Sequence, residues 1–71
     1  MHRFLVIIEK SGSNFSAYSP DLPGCVATGK TRESTEANMY EAINFHLQGL
    51  REDNLVIPEN TSFAEIMAIA C

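Results

Sequence analysis

Seventy-one residues leave room for one small domain, 1–71, whose core is only marginally able to stabilise itself, so a partner or a homo-oligomer is expected from size alone. A formal charge of −4, from nine Asp and Glu against five Lys and Arg, argues against a surface built to neutralise nucleic-acid phosphates and makes a basic protein the natural partner. Hydrophobic content of 45%, with four glycines and three prolines, belongs to a folded chain and excludes a low-complexity one.

The first element is expected at RFLVIIE, Arg3 to Glu9, rich in β-branched and aromatic residues and closed by the turn-forming KSGS. Its apolar run FLVII is far shorter than a membrane span and lacks a signal-peptide cleavage pattern, so a cytoplasmic location and no membrane association are expected. NFSAYS follows with a period of two, Phe15 and Ala17 on one face, Ser16 and Tyr18 on the other. Two strands joined by a short turn make a hairpin.

In PDLPG each proline fixes φ and removes a donor, and Gly24 tolerates a positive φ. CVAT reads as a third strand, ended by Gly29 and Lys30. Thr31 suits a helix N-cap, its hydroxyl accepting from the N–H of Glu33 or Ser34, while Glu33 complements the positive end of the dipole. From Arg32 to about Leu50, the residues Met39, Ala42, Ile43, His46, Leu47 and Leu50 recur at helical spacing and form one apolar stripe. Phe45 falls outside that stripe, so it is either packed by a loop or exposed to a partner.

Asp53, Asn54 and Pro58 break the helix. The last segment, FAEIMAIAC, sets Ile66, Ala68 and Ala70 against Met67, Ile69 and Cys71; it reads as a fourth strand in preference to a short C-terminal helix. The fold class is therefore α+β in the order β-β-β-α-β, one antiparallel sheet with one long helix on a face.

Chemistry is sparse. Asp21 has no second acid or histidine near it in sequence and is expected to bond the backbone of its own turn. Cys25 reads as a small half-buried strand residue, and with Cys71 as a reduced thiol. His46 reads as a packed side chain bonded to a backbone carbonyl. With no HExxH, phosphate loop or basic–aromatic ribbon, no metal, cofactor or catalytic set is expected, and binding is left as the function.

FSAYSPDLPGCVATGKT, the helix RESTEANMYEAINFHLQGLRED and the tail IPENTSFAEI together resemble the HicB family of antitoxins, most specifically at PDLPGC, TGKT, EAINFHLQGL and IPE. The helix opens TREST where two consecutive acids would follow the Arg, and Asn60 stands where a proline is common; both departures look peripheral to the fold. The resemblance implies a partial RNase H-like fold that binds and silences a HicA-type toxin, a small basic protein that cleaves mRNA with a histidine. An acidic domain is suited to masking such a surface. The first strand has no acid before Glu9, so the fold is expected without nuclease activity. Many relatives carry a further DNA-binding module; the sequence here ends at Cys71, and direct operator binding is not expected of it. The toxin contact is expected at the turn with Tyr18, Pro20, Asp21, Leu22 and Pro23, and at Phe45, because rigid prolines lower the ordering cost and aromatics supply anchors.

Overall fold

The computed structural model describes all 71 residues. Strands β1 (Ile7–Ser11), β2 (Asn14–Tyr18) and β3 (Val26–Gly29) form one antiparallel sheet in the order β1-β2-β3, followed by helix α1 (Arg32–Glu52). The order β-β-β-α of an α+β fold is as expected.

Strand β1 sits four residues later in its start than the sequence suggests. Only Gly12 and Ser13 separate the hairpin strands, and Gly12 has φ 61, as a two-residue type II′ turn requires at its first position. That turn sets the register Ile7↔Tyr18 through Ser11↔Asn14. Beyond Tyr18 the chain leaves for the proline turn, so Arg3 to Val6 have no strand to pair with.

Alternation then sorts the side chains. Ile8, Ala17 and Ala27 lie abreast across the three strands and face the helix, whereas Ile7, Tyr18 and Val26 lie abreast on the outer face. Small residues on the inner face let α1 approach closely, and it lies over β3 and β2 much more than over β1. Asn38 donates to the Thr28 carbonyl at 2.8 Å and ties helix to strand.

Both helix ends are closed by their own sequence. Thr31 Oγ1 accepts from the Ser34 N–H at 3.0 Å and Ser34 Oγ accepts from the Thr31 N–H at 3.1 Å, a reciprocal capping box with serine in the place usual for Glu. At the other end Asn54, with φ 56, takes the left-handed position. The N–H of Asn54 reaches the Arg51 carbonyl and that of Leu55 the Leu50 carbonyl, the two bonds of a Schellman motif.

Met39 and Leu47 from the helix, Ala17 from β2, and Leu22 and Cys25 from the turn before β3 make the buried core. Phe4, Val6, Ile8, Ala27, Ala42, Ile43, Leu50 and Ile57 pack around it, which matches the helical stripe read from the sequence.

The expected fourth strand is absent from this chain. After Ile57 the tail crosses the body as far as Ser62, and Phe63 to Cys71 form neither strand nor helix and are exposed throughout. No strand of the same molecule lies beside them to accept their ladder bonds. The radius of gyration is 13.9 Å and the long dimension 49 Å, whereas a compact chain of this length would have a radius of about 11 Å.

Candidate partner-binding surface

The segment SPDLPGC folds as two consecutive tight turns sharing Leu22. Leu22 N–H donates to the Ser19 carbonyl and Cys25 N–H to the Leu22 carbonyl, each at 3.1 Å. Pro20 and Pro23 each hold the second position of a turn, where their fixed φ is wanted, and Gly24 at φ 81 supplies the third position of a type II turn. Because the two turns meet at Leu22, that side chain points into the core and is only 1% exposed, while Pro20, Pro23 and Gly24 stay on the surface. Leu22 therefore supports the turn from beneath and has no side-chain surface to present.

Asp21 also departs from expectation. Its carboxylate bonds the tail forty residues on and not its own turn. Oδ2 accepts from the N–H of Thr61 at 3.0 Å and of Ser62 at 3.1 Å, and Oδ1 accepts from their hydroxyls at 3.2 and 3.3 Å. Asn60 adds a second fastening: its Oδ1 accepts from the Leu5 N–H at 2.9 Å and its Nδ2 donates to the Ser62 carbonyl. A proline could make neither bond, so Asn60 is structural here and not peripheral.

Partial desolvation raises the Asp21 pKa, but the bonds from Ser62 and Thr61 outweigh it and hold the carboxyl below its ordinary value. The contribution of this clamp is then complete above the unfolded value, near pH ~4, and is lost as pH falls through the lowered folded value. NMR titration should show the Thr61 and Ser62 amides moving only in acid, with a midpoint below the ordinary aspartate value. In Asp21→Asn that movement should vanish, and a midpoint at or above the ordinary aspartate value in the native chain would refute the clamp.

Phe45 is 79% exposed, so no loop packs over it. It stands over a shallow pocket of about 360 Å³ lined by Gly24, Cys25, Val26, Ala42, His46 and Gly49. Val26 is 64% exposed and lies beside Tyr18, itself 39% exposed, on the outer sheet face. The proline turn and Phe45, two separate candidates in the sequence, are thus joined through Gly24 and Val26 into one surface. Val26 was not among the residues singled out from sequence, although its even position on β3 places it opposite Ala27.

Glu41 and Glu52 are also on this surface. With Phe45 and Gln48 they follow the spacing i, i+4, i+7, i+11, share one helix face, and are exposed. Gln48 donates to Glu52 at 3.2 Å. The result is an exposed aromatic between two carboxylates, next to the double turn.

Nothing in the surface assembles as a reaction centre. Burial pushes the Cys25 thiol up, away from the thiolate. His46 is half-buried and makes no hydrogen bond to a carbonyl, contrary to expectation, nor to any acid or nucleophile. No three His, Cys, Asp or Glu side chains come together as a metal set. No helix is long and apolar enough to cross a membrane.

Residues 4–70 match the family model described as the HicB-like antitoxin of bacterial toxin–antitoxin systems. The chain belongs to the HicB-like antitoxin family. Among curated relatives, it is 33% identical over 61 residues to a UPF0150 protein of Thermoplasma acidophilum, covering 84% of this chain and 88% of that one. A UPF0150 protein of Helicobacter pylori is 41% identical over 49 residues, 69% of this chain and 68% of its own. A 14.9 kDa protein from the rep-hol intergenic region of Haemophilus phage HP1 is 36% identical over 55 residues, 78% of this chain. The match spans 41% of the phage protein's length. No solved structure matches.

Proposed function

We propose that this HicB-like domain neutralises a HicA-type, mRNA-cleaving toxin by covering its active site with the surface that joins the proline turn to Phe45. The observation that carries the reading is the exposed Phe45 between Glu41 and Glu52, beside the turn of Pro20 and Pro23. A large aromatic anchor rimmed by carboxylates fits a basic partner: the ring supplies buried area, and the acids speed encounter and set orientation. The turn is already ordered, so little conformational freedom is lost when it is covered. Tyr18, Pro20, Pro23 and Phe45 make the contact, with Val26 between them; Asp21 and Leu22 hold the turn in shape. The location is cytoplasmic, where such a toxin meets mRNA, and the domain itself is not an enzyme.

Co-expression with the product of the adjacent toxin gene tests this. Native protein should rescue growth and co-purify. Phe45→Ala should weaken the complex by about 30-fold or more, as expected of a hot-spot aromatic, while leaving the thermal midpoint of the free domain nearly unchanged. Unchanged toxin affinity in Phe45→Ala and in Pro20→Ala/Pro23→Ala would remove the contact surface. A demonstrably toxic neighbour that is neither bound nor rescued would remove the function. A second reading, a homo-oligomeric interaction module, is favoured by the exposed apolar segment after Ser62.

A further inference from the structure

We propose that the apolar arm Phe63–Cys71 of one molecule is the fourth strand of a second copy: two chains exchange arms, each pairing with the free edge of the other's β1. Alternate side chains of the arm then seat in the groove between α1 and the segment Met1 to Val6 that leads into that edge. This develops the self-association expected of a small core and stands independently of toxin binding.

Four observations converge on a second copy of the chain. First, β1 is the margin of the sheet, and its outer ladder groups have no partner. Second, because α1 lies towards β3, the flank of the helix above β1 is uncovered. With the segment leading into β1 it bounds an open groove of about 530 Å³, lined by Phe4 and Val6 on one side and Met39, Tyr40, Ile43 and Leu47 on the other, with Glu36 and Arg51 also in its lining. A strand added beside β1 would fill that groove and centre the helix over four strands.

Third, the arm suits that place and little else. It alternates large apolar residues, carries one charge at Glu65, and exposes Phe63, Ile66, Met67 and Ile69 to solvent. Near-neutral and apolar, it does not complement a basic toxin, whose attraction would be to the Glu41 and Glu52 rim.

Fourth, the arm does not turn back onto its own β1. Asp21 and Asn60 fasten the chain at Asn60 to Ser62, close to Leu5. From Phe63 onward there is no Gly, Pro, Asn or Asp to reverse it. A fastened root with no turn beyond it directs the segment outward. Two exchanged nine-residue arms, covering on the order of 50 Å² per residue and an equal receiving area, would close about 1,800 Å², the size of a standard stable interface.

Sedimentation of the full chain over a concentration series should give twice the 7.9 kDa monomer mass at about 100 μM. I66E/I69E puts a charge on each face of the arm, so whichever face enters the groove is disrupted; self-association should fall by roughly 100-fold or more. Ile66 is fully exposed and Ile69 is 75% exposed, so circular dichroism and the unfolding midpoint of the monomer should be nearly unchanged. Cys71 is exposed and Cys25 buried, so a nitroxide can be placed at the arm's tip. Mixed with unlabelled-thiol, ¹⁵N-enriched protein, it should broaden amides of Met1 to Ser11 and of the helix around Tyr40 to Leu47. A monomer at all concentrations, a dimer indifferent to I66E/I69E, or broadening centred on Phe45 would each overturn arm exchange. Loss of toxin binding with the dimer intact would bear only on the toxin reading.

Discussion

Leu22→Ala should destabilise the fold by about 2–5 kcal/mol, the usual cost of emptying a well-packed leucine site. A domain of this size holds roughly 4–10 kcal/mol in total, so the variant should sit near the edge of folding. Leu22 is 1% exposed and shares the core with Ala17, Cys25, Met39 and Leu47. Little around it can collapse into the space, because both of its backbone polar groups are fixed in the two turns it joins. The flanking substitutions Pro20→Ala and Pro23→Ala give the contrast. Those side chains are on the surface, and losing a compatible proline costs only about 0.4–1 kcal/mol, mainly through the unfolded chain. Urea unfolding of the three variants should place Leu22→Ala far below the other two. If all three lay together, the turn would not be anchored through Leu22, and its shape as a preformed binding element would need another cause.

The same turn shows what sequence can and cannot disclose. Serine, two prolines and a glycine at fixed offsets dictate a pair of tight turns, because each residue has a backbone preference that matches one position. Thr31 with Ser34, and the stripe from Met39 to Leu50, dictate the helix for equally local reasons. The inward aim of Leu22 is not local: it depends on where the helix lies. Nor is the partner of Asp21 local, since Thr61 and Ser62 are forty residues distant and carry no pattern of their own. For Phe45 the helical spacing gave the face but not what covers it. The final segment has the alternation of a strand, and alternation states only that one face expects burial. Whether a neighbouring strand exists to provide it is a property of the assembled molecule, and this molecule leaves its β1 edge bare.

The second large effect is expected at Gly29, where Gly29→Ala should cost about 1–3 kcal/mol and lower the thermal midpoint by roughly 5–20 °C. Gly29 closes β3 directly beneath the first turn of α1. A Cβ there would lie 2.6 Å from Thr35 Oγ1, 2.7 Å from Ser34 Oγ and 2.8 Å from the Thr35 backbone nitrogen. The serine can move only by leaving the capping box. Thr35 cannot move alone either, since it is fully buried and its hydroxyl donates to the Thr31 carbonyl at 2.7 Å. Relief therefore requires the helix start to lift from the sheet. Gly49→Ala is the matched control, because an added Cβ there meets nothing within 4 Å and the residue lies inside the helix. Alanine should gain about 0.5–1 kcal/mol at that site from its better helix propensity. One substitution type, at two glycines twenty residues apart, should thus move stability in opposite directions. Equal effects at both would mean that α1 does not rest on the end of β3, and the placement of Phe45 beside the proline turn depends on that seating.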